Sequence, residues 1–99
     1  MTEYERQTAQ CRIVEQGIKL DFLRYRIIGI EDRRTGGKWM PVVLMASIST
    51  PTHYCIEYGG NGHYYDTVDG CAEWYKWRFG RPMPVDMMEG VIDDGKAEE

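Results

Sequence analysis

Most of the features from which function is usually read are missing from this 99-residue chain. No apolar run approaches the roughly 20 residues that cross a bilayer. The opening MTEYERQTAQ has neither the basic start nor the apolar stretch of a secretory signal. Both features point to a cytoplasmic protein with no membrane partner. Cysteine is sparse: Cys11, Cys55 and Cys71 form no CxxC pair, and an odd count without a secretion signal favours reduced thiols over a disulfide framework. GxSxG, HExxH and a glycine-rich loop ending in Gly-Lys-Ser/Thr are also missing. Nothing in the spacing pairs a nucleophile with a base. The expectation is a protein that is not an enzyme and carries no cofactor.

What is present is an ordinary globular composition, 42% hydrophobic and 28% charged, enough for one modest core. The net charge of −4 is unevenly spread. Residues 1–81 hold eleven basic against ten acidic residues, whereas 82–99 hold Lys96 against six acids. The reading is a single folded domain over 1–85 and an acidic, flexible tail over 86–99 that ends in DDGKAEE.

Residues 3–15, EYERQTAQCRIVE, show no clear 3.6-residue stripe, and Thr8 with Cys11 to Val14 favours a strand near 8–15 over a helix. In IKLDFLRYRIIGIED the apolar parity switches more than once, which calls for a bulge or a strand break. DRRTGGKW reads as a hairpin turn on Gly36 and Gly37. WMPVVLMASIS is the most hydrophobic strand, with Val42, Leu44, Ala46 and Ile48 on one side. Pro41 cannot donate to a ladder, so that end is expected at a sheet edge or a bulge, and an exposed edge there could support a homodimer by strand pairing. HYCIEY, GGNG and HYYD form a second hairpin. A helix follows, opened by Asp66 as N-cap and closed by Gly80 and Pro82. Strands followed by one helix predict an α+β fold: an antiparallel sheet of four to five strands with one C-terminal helix packed across one face.

On that helix Val68, Cys71, Ala72, Tyr75 and Phe79 share a narrow stripe that must meet the sheet, and burying Val68 and Phe79 contributes roughly 1.5–3 kcal/mol apiece. Gly70, Trp74 and Trp77 fall in a different sector. Either RPMPVDMMEGVI folds back over the indoles, with Met83, Val85, Met87 and Met88 filling the gap, or the rings stay exposed. In the second case Trp74, Trp77, Arg78 and Arg81 form a partner-binding surface, because Trp and Arg are the types enriched at interface hot spots.

Two other constellations compete. His53, Cys55 and Glu57 alternate, so a strand puts three zinc-type ligands on one side. With GGNG as a four-residue loop, however, Tyr58 pairs with His63 and the second histidine points to the opposite side. No metal is expected. Arg24, Arg26, Arg33 and Arg34 with Tyr58 and Tyr64 offer the cations and stacking planes of a single-strand or RNA-binding sheet, the alternative to a protein partner. Against it, the body of the chain is nearly neutral.

Antiparallel strands leading into YYDTVDGCAEWYKW, followed by an acidic end, resemble the layout of small phage and mobile-element proteins, anti-CRISPR inhibitors among them. The resemblance is architectural, spans about residues 18–80 and assigns no residue a role. It implies a protein that works by binding and blocking a larger host complex.

Overall fold

The structure is a computed structural model and describes residues 2–88. Its first element corrects the expected strand: Glu3–Glu15 is a helix, α1. The local cause is a capping box. The Thr2 hydroxyl accepts from the Glu5 amide at 3.1 Å, and the Glu5 carboxylate accepts from the Thr2 amide at 3.4 Å. Only Ile13 on this helix is fully buried, with Ala9 partly so, and a face this narrow leaves almost no periodic trace in the sequence.

The strands are β1 (Tyr25–Glu31), β2 (Arg34–Thr35), β3 (Lys38–Trp39), β4 (Val42–Ser47), β5 (Tyr54–Tyr58) and β6 (Asn61–Tyr65), and the second helix is α2 (Val68–Phe79). β1, β4, β5 and β6 make one antiparallel sheet in that order, while β2 and β3 form a separate two-stranded ribbon turning on Gly36 and Gly37. The parity switch near Ile27 is a bulge, where the pairing with β4 shifts between Ile27 and Gly29.

Both faces of the sheet are covered. Val43, Met45, Ile27 and Cys55 pack with Ile13 and Trp39 on the α1 side. Val42, Leu44, Ala46, Ile28 and Ile56 pack with Cys71, Trp74 and Tyr75 on the α2 side. β4 contributes to both cores, which is why it is the most hydrophobic strand. The C-terminal helix lies across one face as expected, and α1 is a second layer on the other. Pro41 stands just ahead of β4, an interior strand, so the sheet edge expected there is not present; the edges are β1 and β6.

The chain after α2 returns across β1. Met83 and Met87 are buried in the α2-side core, and a side chain at Gly29 would run into the Met87 carbonyl. The fold therefore extends past the boundary expected at residue 85. The rest of the acidic tail, 89–99, lies outside the described residues.

Candidate functional site

α2 is punctuated as its sequence demands, with one shift: Thr67, rather than Asp66, is the N-cap, its hydroxyl accepting from the Gly70 amide at 3.3 Å. Gly80 adopts φ +73° and donates to Lys76 at 2.8 Å, ending the helix. Between these ends the helix runs antiparallel to β6. Gly70 lies against the Tyr65 ring, Trp74 stacks on His63 with ring centroids 4.6 Å apart, and Arg78 reaches the Tyr58 ring beside Asn61.

This placement separates the two indoles. Trp74 is 9% exposed and belongs to the core, correcting the expectation that it forms part of an open binding surface. Trp77 is 79% exposed. Met83 and Met87 do fold back, joining the core that contains Trp74, but Val85 stays exposed and Trp77 is left open.

At the C-terminal end of α2 the structure assembles a cluster that the sequence had scattered over three segments. Tyr75 donates to both Glu31 oxygens at 2.7 Å. Arg33 donates to Glu31 at 2.9 Å and to the Tyr75 oxygen at 3.3 Å, and Arg81 donates to Glu31 at 3.2 Å. The Arg33 guanidinium lies 4.0 Å from the Phe79 ring centre, and Arg78 stands 5.2 Å from the same ring and 5.5 Å from Tyr58. Tyr58 meets Phe79 edge-on and shares a 3.4 Å hydrogen bond with Thr35. Burial, and then the Glu31 carboxylate, raise the pKa of the Tyr75 phenol, so it remains a donor. Burial, the largest single effect, lowers the Arg33 pKa, but the bond to Glu31 together with the charge of Glu31 and the nearby Tyr75 and Tyr58 outweighs it, and the guanidinium is held charged.

Three arginines thus converge on one aromatic group around a single carboxylate. Arg33 and Tyr58, read as nucleic-acid candidates, join Arg78 and Arg81, read as protein-binding candidates. Glu31, Tyr75 and Phe79 complete the cluster. Sequence reasoning placed Tyr75 and Phe79 only as core residues, and nothing local marks Glu31 as their partner 44 positions away.

The remaining nucleic-acid candidates do not form one platform. Arg24 pairs with Asp21 at 3.5 Å, and Arg34 reaches back to the Gly37 carbonyl at 3.4 Å within its own ribbon. Arg26 stands opposite Ala46 on the α2 side of the sheet, whereas Tyr64 lies on the α1 side with Tyr25 and His53.

β5 puts Cys55 and Glu57 on the α1 side, with His53 just ahead of it against Tyr25 and Tyr64. Gly59 and Gly60 both have positive φ and make a two-residue turn, so Tyr58 pairs with Asn61 and His63 with Ile56, two residues from the expected register. His63 still faces the α2 side. The Cys55 thiol donates to Glu57 at 3.5 Å, and burial, with Glu57 next, pushes its pKa up to about 12, so it is not a thiolate at neutral pH. Among the described residues, no group of three or more His, Cys, Asp or Glu is placed to hold a metal. A cavity of about 450 Å³ opens near Glu57, between residues 17–20, residues 38–41 and the β5–β6 turn.

No family model matches the chain, and no curated protein or solved structure is detectably similar to it.

Proposed function

We propose that the chain is a non-enzymatic protein-binding module whose docking surface is the arginine–aromatic cluster at the end of α2. One observation carries the reading: Arg33, Arg78 and Arg81 are held on Phe79, Tyr58 and Tyr75, with Glu31 the carboxylate that balances them among the described residues. Arginines fixed in this way have already lost much of their side-chain freedom, which lowers the cost of pairing them with carboxylates on a partner. The half-buried Phe79 and Tyr58 rings beneath the charges supply apolar contact area, and Arg–aromatic surfaces are where interface energy concentrates. The partner in this reading presents an acidic patch. An inhibitor of the anti-CRISPR kind would use the cluster to cover a working surface of a larger complex.

The test is affinity capture from source cells with wild-type protein, the Arg78→Glu/Arg81→Glu variant and an Arg24→Glu control. Expected is a captured protein that the double reversal loses and the control retains. Capture unaffected by the reversal refutes the surface. A gel shift of single-stranded oligonucleotides that fades steeply with salt and vanishes in the same variant would reassign it to nucleic acid.

A further inference from the structure

The two edges of the sheet are treated differently. On β1 the ladder is broken by the bulge at Ile27–Gly29, and the Ile27 carbonyl is taken by the Arg6 side chain of α1 at 2.7 Å. These are the devices by which an edge is blunted. β6, NGHYY, has no charge, no proline and no bulge, and it ends the sheet. Its register fixes which groups face outward. The two-residue turn makes Tyr58 and Asn61 a hydrogen-bonded pair, so Asn61, His63 and Tyr65 bond to β5 while Gly62 and Tyr64 turn their amides and carbonyls away from it. Those outward groups are symmetric about His63.

We propose that the chain forms a two-fold dimer in which β6 pairs antiparallel with β6 of a second copy about His63, joining two four-stranded sheets into one of eight. Gly62 of each copy then exchanges hydrogen bonds with Tyr64 of the other. The inference goes beyond the docking surface proposed above.

Three further features fit a second copy of this chain. The first is spacing. α2 lies over β5 and β6, with Trp74 on His63 and Tyr58 against Phe79. With strands about 4.8 Å apart, a two-fold at the outer edge of β6 sets the two α2 axes about 10 Å apart, the distance at which helices pack. The second is shape. The dyad passes at the level of Trp74, so Trp77, one turn further along the same flank, stands opposite Gly70 of the second copy. An indole 79% exposed in the monomer is covered there by the first turn of the other α2, where Gly70 is already backed by the Tyr65 ring of its own chain. The third is charge. The helices run antiparallel, so the two helix dipoles oppose favourably, while Arg81 stays with Glu31 on the β1 side. Arg33, over the β1 side of the cluster, stays on the outside of the pair.

Light scattering on the full chain is expected to give twice the 11.5 kDa monomer mass. Hydrogen exchange is expected to show the Gly62 and Tyr64 amides protected as well as those of His63. Tyr64→Pro removes an outward donor, together with a ring that meets Tyr25 and His53, and is expected to give a monomer whose fold is checked by near-UV circular dichroism. If that variant does not fold, Trp77→Lys, an exposed change, is expected to lower the dimer fraction instead. A monomer mass across the accessible concentration range, with fast exchange at residues 62 and 64, overturns the proposal. So does a dimer that persists in folded Tyr64→Pro and in Trp77→Lys.

Discussion

Raising the pH to 10 should cost this fold stability through two thiols. Cys55 and Cys71 are 1% and 0% exposed, and burial pushes each pKa from 9.0 up to about 12, with Glu57 adding to the effect at Cys55. Between those values the unfolded chain has released a proton that the native chain still binds. Stability therefore falls as pH rises: the contribution is complete below pH 9 and is lost progressively towards 12. At pH 10 the loss is about 1.4 kcal/mol per thiol, so about 3 kcal/mol for the pair. That figure is insensitive to the native value as long as it stays well above 10. It is a large share of the roughly 5–15 kcal/mol that holds a small domain together. The assay is urea unfolding at pH 7, 8, 9 and 10 for wild type and for Cys55→Ala/Cys71→Ala. The double variant should be less stable at pH 7, because of the volume removed, and should then lose about 3 kcal/mol less than wild type between pH 8 and 10. Parallel losses in the two proteins would refute the reasoning. Tyr25, Tyr64 and Tyr75, also raised, deepen the decline as the pH approaches and passes their ordinary value of 10.0.

Trp74→Ala should cost about 3–5 kcal/mol, while Trp77→Ala stays within about 0.5 kcal/mol by thermal denaturation at concentrations low enough to keep the chain monomeric; equal losses there would return Trp77 to the core. Tyr75→Phe should cost about 1.5–3 kcal/mol, the worth of a buried donor to a carboxylate, and an unchanged urea midpoint would mean that Arg33 and Arg81 satisfy Glu31 alone. Gly29→Val should drive Met87 off the sheet, so that limited proteolysis within 83–88 speeds up while the strand signal in circular dichroism persists; undiminished protease resistance would count against that packing.

The parts of the fold legible in the sequence are those with local punctuation. Gly36–Gly37 and Gly59–Gly60 mark their turns because both residues of each pair need positive φ. α2 is framed by Thr67 and Gly80, and its stripe of Val68, Cys71, Ala72, Tyr75 and Phe79 lies in or against the core as the periodicity requires. α1 was hidden because it buries so little, although the Thr2–Glu5 box was a readable start signal. Periodicity puts Trp74 and Trp77 on one flank, and what separates them is where the sheet ends. Trp74 finds His63 of the last strand beneath it, whereas Trp77 reaches past the strands. The cluster around Glu31 depends on β1 and α2 meeting across the sheet. Spacing along the chain carries no trace of such a meeting.

The saddle at Gly29 bears on how the protein is made. Every buried residue of the α1-side core comes from α1 through β5, so that side can close early as the chain is synthesised. The α2 face is finished only when Met83 and Met87 emerge and settle over β1. Until then the nascent molecule carries one completed side and one adhesive side, and it is the second that chaperones and quality-control proteases would meet in a chain whose translation stalled short of its end.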